Sequence, residues 1–243
     1  MSKVQKMRHP TKGSGLPLAK HAYQDLLHRI ISFELEPYQS LSEASVSEML
    51  GISRTPAREA LALLAERGFV EVMPQRGSRV SPLRNSDLER SQFMREALEL
   101  ALLRRVVALP ARDKLIESLR KEITLQRTYL QFDDKDGFYG SDEEFHGLIA
   151  AYAGRSDVLP DIRRMKVHMD RFRHLMVQAV EDLDVVIHQH TQIADAIETG
   201  DADAAEAAML THLRRIFSYV DEARSKYPDY FDSSPEPNLR VRP

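Results

Sequence analysis

The chain has 243 residues, 42% of them hydrophobic, which is enough for one large core or two modest ones; it has no cysteine, which excludes disulfides and thiolate metal ligands and fits a reducing compartment. The net charge of −3 conceals a split: residues 1–82 carry 11 Lys and Arg against 8 Asp and Glu, residues 83–243 carry 23 against 29, so a modestly basic module precedes an acidic remainder. No apolar run reaches membrane-spanning length and Met1 to His9 lacks the apolar stretch of a signal peptide, so no membrane partner and a soluble cytoplasmic protein are expected.

Residues 1–16 are polar, basic and glycine-bearing and read as a flexible arm. Leu18 to Leu35 predicts a helix, with Ala22, Leu26, Ile30 and Phe33 on one stripe. Leu41 to Leu50 predicts a short amphipathic helix, and Gly51-Ile52 a tight connection. A longer helix then opens at Ser53-Arg54-Thr55-Pro56-Ala57-Arg58-Glu59-Ala60-Leu61. Ser53 suits the N-cap, its hydroxyl accepting a free backbone N–H, and Pro56 is tolerated in a first turn. Arg54 and Arg58 are four apart and share a face, while Leu61 and Leu64 face inward. Arginines at a helix N-terminus suit phosphate and base edges. After Gly68, Phe69 to Val72, Pro74 to Gly77 and Ser78 to Val80 read as strand, turn and strand, with Arg76 and Arg79 at or beside the tip. Together these elements form a winged helix-turn-helix over 17–82.

Beyond a linker at Leu83 to Asn85, six helices are expected at about 86–108, 112–132, 138–153, 157–179, 182–198 and 202–226. They make an antiparallel bundle within 83–232, and the proline-bearing residues 233–243 form a disordered tail. The fourth helix carries Ile162, Met165, Met169, Phe172 and Met176 at alternating three- and four-residue spacing, which reads as bundle core. Asp142 and His146 are four apart on the third helix; His190 and His212 lie among apolar residues of the fifth and sixth. Each histidine alone suits a core imidazole bonded to a carbonyl. Three inward histidines with an inward carboxylate match the ligand set of a divalent transition metal, Zn or Ni first, with open positions for a ligand.

The stretch from Leu16 to Pro82 resembles the winged helix-turn-helix of GntR-type transcriptional regulators. The resemblance rests on Leu41-Ser42-Glu43, Leu50 to Pro56, Arg58-Glu59-Ala60-Leu61, Leu64, Gly68 and Gly77. The chain departs at Phe33 and Tyr38, where the family usually has glycine, and at Val46-Ser47, where it usually has Leu-Ala. These positions are expected to leave the DNA contacts intact. Residues 86–226 resemble the FCD ligand-sensing domain of the FadR branch, through Arg95 with Leu98-Glu99, Asp142-x-x-Phe145-His146, His190-x-x-Ile193, Gly200-Asp201 and Met209-x-x-His212. Six helices point to the VanR-like subgroup. Arg155 stands where the family often has Asn, a change at a local turn or pocket edge. The resemblance implies that Asp142, His146, His190 and His212 hold the metal and that Arg95 lines the effector pocket; for Arg95 the alternative is a surface ion pair with Glu99, four residues on.

The expected function is that of a ligand-responsive regulator, commonly a repressor, binding a near-palindromic double-stranded DNA operator as a homodimer and sensing a small organic acid. Arg54 and Arg58 would touch bases or phosphates, with Ser53, Thr55, Arg76, Gly77 and Arg79 adding backbone and wing contacts. One alternative is a metal-dependent enzyme with a DNA-binding appendage. Glu143-x-x-His146 resembles half of a di-iron signature, but Ile187 and Met209 occupy the positions where a partner glutamate would stand. No nucleophile–base pair stands out. Another alternative is a DNA-binding dimer whose sensor site is empty.

Overall fold

The computed structural model describes residues 15–75, 77–177 and 182–233. The expected arm, apart from Gly15 and Leu16, lies outside the described residues, as do Arg76, the side chain of Met176 and the tail beyond Ser233. The chain divides into two units, Met1–Pro82 and Leu83–Pro243.

In the first unit, helices α1 (Gly15–Ile31), α2 (Glu43–Leu50) and α3 (Arg54–Glu66) surround a small core. Ala22, Leu26 and Ile30 of α1 pack inward, as do Val46 of α2 and Ala57, Ala60 and Leu64 of α3. The helix expected to reach Leu35 stops at Ile31, because Phe33 adopts φ 60°. Leu41 is not helical either: it belongs with Ser40 to strand β1, and α2 starts behind a cap. Ser42 and Ser45 cap each other reciprocally, and Gly51, at φ 64°, closes α2 by returning its N–H to the Ser47 carbonyl. This left-handed glycine makes the sharp turn between α2 and α3.

Strands β1 (Ser40–Leu41), β2 (Val70–Met73) and β3 (Gly77–Val80) form an antiparallel sheet in the order β1-β3-β2, with Glu71 opposite Arg79. The β2–β3 hairpin matches the expected wing. β1 was not expected, since two residues cannot display a period. Phe33 and Tyr38 are both left-handed, at φ 60° and 66°. The chain thus keeps a glycine-type backbone with bulky residues, at roughly 1–2 kcal/mol each.

The second unit is helical: α4 (Asn85–Val107), α5 (Asp113–Gln131), α6 (Lys135–Tyr152), α7 (Leu159–Val177), α8 (Leu183–Thr199) and α9 (Ala202–Arg214). Where one helix was expected over 202–226, α9 gives way to a 3-10 turn at Arg215–Tyr219 and then to α10 (Val220–Lys226). α4 packs on α6, α7 and α9; α5 packs on α6 and α8; α8 packs on α9. Phe138, Phe145, Leu103, Leu115, Leu119 and Ile193 are fully buried between them. Each contributes on the order of 1.5–3 kcal/mol of burial. Ile162, Met169 and Phe172 of the α7 stripe are buried as well. Among the described residues, no helix is long and apolar enough to cross a membrane.

Candidate functional site

The first unit presents the N-terminal end of α3. Ser53, Arg54, Thr55 and Arg58 are exposed there, while Pro56 and Ala57 turn inward. Ser53 holds the N-cap position, but its hydroxyl makes no capping bond, contrary to expectation. Pro56 is the third helical residue and has no N–H, so a usual partner of a cap hydroxyl is missing. Arg79 lies beside the wing tip rather than at it. It lies within β3, half-buried, with Nε 2.6 Å from Glu71 Oε2 and its guanidinium carbon 4.9 Å from the centroid of the Tyr38 ring. Tyr38 therefore touches an expected DNA-contact residue. Gly77 opens β3 at φ 82°, and Arg76 lies outside the described residues.

In the second unit, α6 supplies Asp142 and His146 from adjacent turns, α8 supplies His190 and α9 supplies His212. One ligand atom from each lies within 4.8 Å of all the others. His190 is fully buried, Asp142 and His212 nearly so. Phe145 stacks on the His190 ring, with centroids 4.1 Å apart, and fixes its plane.

The acceptors around the imidazoles decide their tautomers. His190 Nδ1 is 2.8 Å from Gln126 Oε1, and His212 Nδ1 is 3.3 Å from Gln189 Oε1. Each nitrogen therefore carries its hydrogen, leaving a lone pair on Nε2. Glu99 Oε2 lies 2.6 Å from His146 Nδ1, a charge contact off the hydrogen-bond axis that also favours a hydrogen there. His146 Nε2 accepts from Arg95 at 3.2 Å. Three lone pairs thus converge: His146 Nε2 and His212 Nε2 are 3.1 Å apart, and His190 Nε2, which has no hydrogen-bond partner, faces Asp142 Oδ1 at 3.5 Å. Arg95 answers the His146 lone pair and Arg173 the Asp142 carboxylate, but the Nε2 lone pairs of His190 and His212 meet no donor, and a cation among the four groups would satisfy them. The donor set fits a divalent metal, and oxygen acceptors behind the rings are the usual outer shell of such a site.

The electrostatics agree with that arrangement. Burial raises the Asp142 pKa, but Arg173 and then the imidazoles outweigh it and hold the carboxyl well below its usual range. Burial likewise opposes ionisation of Glu99, yet Arg95 and His146 keep it below the usual carboxylate range. Burial pushes His190 down to about 3 against the pull of Asp142, and holds His212 well below its ordinary value with help from His190 and His146. Both imidazoles are therefore neutral at pH 7, the form in which they bind metals.

A small cavity of about 30 Å³ opens beside the cluster, with Asp142, His212, Arg95, Arg173 and Arg215 among its lining residues. Arg95 is buried in an ion pair with Glu99, 2.5 Å away. The pair and the position at the cleft, treated as alternatives by sequence reasoning, occur together. Arg173 reaches Asp142 Oδ2 at 3.2 Å. Arg171 is buried away from the cleft lining and faces Asp87 and Arg84. Arg155 pairs with Asp157 on the surface and does not line the cleft. Glu143 bonds to Lys166, off the histidine cluster. Sequence reasoning did not single out Gln126, Gln189 or Arg215. The two glutamines carry one signal, since both sit at inward positions of α5 and α8.

Comparison with known proteins finds a match for each of the two units. Residues 18–80 match the model of the bacterial regulatory proteins of the gntR family, and residues 92–215 match the FCD domain. An uncharacterized HTH-type transcriptional regulator in an unstable DNA locus of Streptomyces ambofaciens is 36% identical over 86% of this chain and 87% of its own. The HTH-type transcriptional repressor RspR of Escherichia coli (strain K12) is 30% identical over 94% of this chain and 98% of its own. Among solved structures, E. coli McbR/YncC is similar in fold, with a TM-score of 0.63 at 20% identity over 86% of this chain and 98% of that one. These relatives are regulators rather than enzymes, and the chain belongs to the GntR family of bacterial transcriptional regulators, with an FCD domain behind its winged helix-turn-helix.

Proposed function

We propose that this regulator represses transcription by binding a near-palindromic operator as a homodimer and leaves it when a small carboxylate occupies the FCD cleft. Convergence of the Asp142, His146, His190 and His212 ligand atoms within 4.8 Å carries the sensing half of this reading. Zn or Ni held by these four residues would supply a Lewis-acidic anchor for a carboxylate oxygen. Arg95, already aimed at His146, would add charge-assisted hydrogen bonds to the same anion. In the first unit, Arg54 and Arg58 read base edges or phosphates, with Ser53, Thr55, Arg76, Gly77 and Arg79 adding backbone and wing contacts. Two copies set two α3 helices in successive major grooves. Effector occupancy then changes operator affinity by linkage between the two sites. Relatives that are themselves repressors support repression: RspR and the gluconate operon transcriptional repressors of Bacillus licheniformis and Bacillus subtilis.

The test uses purified full-length protein and an operator selected from genomic fragments. Metal analysis after exposure to Zn²⁺ or Ni²⁺ is expected to give about one equivalent per chain, with His190→Ala losing it. Under a tenth of an equivalent in the unmodified protein would instead favour a DNA-binding dimer with an empty sensor. Arg54→Ala should weaken operator binding by about 1–3 kcal/mol, read by fluorescence anisotropy at fixed salt. Unchanged affinity would remove Arg54 from the interface.

A further inference from the structure

Three guanidiniums line the cleft beside the histidine cluster, and two are matched by carboxylates: Arg95 by Glu99 at 2.5 Å and Arg173 by Asp142 at 3.2 Å. Arg215 is not. Its Nε donates to the Tyr219 hydroxyl at 2.9 Å and a terminal amino group donates to the Asp182 carbonyl at 2.7 Å. Both acceptors are neutral. Its other terminal nitrogen, Nη1, is buried without a hydrogen-bond partner. Among the described residues no carboxylate pairs with it. A guanidinium that is half-buried, short of one acceptor and short of a counter-charge is an anion site waiting for its ligand.

Its position places it near the cluster along the same wall of the cleft. Arg215 follows His212 by three residues, one turn further along the same wall and on the order of 5 Å along the axis. The cleft is also lined by Phe138, Phe172, Val186, Leu213 and Ile216, which offer apolar contact to a short carbon chain. Tyr219 accepts from Arg215 and so keeps its own O–H to donate.

We propose that the effector is a compact dianion: one carboxylate lies at the Asp142, His146, His190 and His212 end, and a second anionic group lies on Arg215 and the Tyr219 hydroxyl. This deepens the sensing reading above and rests on it. A four- or five-carbon dicarboxylate and a phosphorylated short acid share that chemistry.

The experiment measures binding to metal-loaded full-length protein by calorimetry, using pairs that differ only in the second charge: succinate with butyrate, glutarate with valerate, and 3-phosphoglycerate with glycerate. At least one dianion should bind about tenfold or more tighter than its partner, the size expected of a charge-assisted contact. Whichever pair shows the preference names the second group as carboxylate or phosphate. Arg215→Gln should bring that pair to within about twofold while leaving monocarboxylate affinity and metal content unchanged; Arg215→Lys should keep part of the preference, because the charge survives without the fork. Equal binding within every pair, or a preference that survives Arg215→Gln, overturns the dianion assignment and leaves acid sensing standing. Failure of all six acids to bind protein that carries its metal overturns both.

Discussion

In the winged-helix domain Arg54 and Arg58 stand exposed on the first turns of α3, whereas Arg95 and Arg171 of the FCD domain are 4% and 1% exposed. The exposed pair is hydrated and mobile, ready to exchange water for the phosphates or bases of a large partner. The buried ones are costly unless paired, and their surroundings fix them in advance. Burial pushes Arg171 down to about 10, still a cation at neutral pH, with Asp87 beside it. Glu99 holds Arg95 against the histidine cluster before any ligand arrives. One residue type thus serves two kinds of recognition. On the function proposed above, a long polyanion would be met by loose surface charge, and a small anion by charge set in place.

The largest test of this division is a core substitution in the DNA-binding unit. Leu64 of α3 is fully buried among Leu26, Ile30 and Ala60 in the same small core. Leu64→Ala is expected to cost about 2–5 kcal/mol of stability and to abolish operator binding, with α3 no longer held against α1. Metal content should be unaffected, because all four candidate ligands and their outer shell belong to the other unit. Urea unfolding, operator binding and metal analysis on the one variant check this. Metal lost together with DNA binding would mean that the two units do not keep their structures separately.

A smaller effect is expected inside the FCD unit. Gln126 is fully buried on α5, and its Oε1 accepts from His190 Nδ1. Gln126→Leu keeps the volume and removes the acceptor, so the ring loses what fixes its tautomer. Metal affinity should fall about 10- to 100-fold, read by competition with a chromogenic chelator. An unchanged affinity would show that Phe145, stacked on the same ring, is sufficient to hold it.

The contrast between the domains also explains what was legible in the sequence. Asp142 and His146 announce themselves because four-residue spacing on one apolar helix face leaves few other readings, and the two later histidines sit in similarly apolar stretches. Gln126 and Gln189 do not, since an amide on an amphipathic helix reads as surface until its partner is known. Arg215 is hidden beside Arg214, which spends itself on Glu96 at the surface. Its own place in the cleft depends on the 3-10 turn that interrupts the expected helix. β1 was missed for its length, and the capping role expected of Ser53 failed because Pro56 lacks the N–H it needed. Spacing locates groups on a face; it does not say what stands across from them.

The smallest effect concerns the two left-handed residues of the winged domain, and it separates backbone cost from side-chain use. Phe33 and Tyr38 occupy similar backbone conformations, at φ 60° and 66°. Glycine at either position relieves about 1–2 kcal/mol of left-handed strain and loses about 0.5–1 kcal/mol to the freer unfolded chain. Tyr38 has a further duty, because its ring lies under the guanidinium of Arg79, a contact worth about 0.5–1 kcal/mol. Phe33→Gly should therefore change stability by no more than about 1 kcal/mol and leave operator affinity alone. Tyr38→Gly should leave stability within about 0.5 kcal/mol of the original and weaken operator binding, because Arg79 keeps Glu71 but loses the ring that orients it. Thermal unfolding and anisotropy on the two variants side by side check both halves. Equal operator affinity for the two would detach Arg79 from DNA recognition and leave the wing's contribution to Arg76 and Gly77.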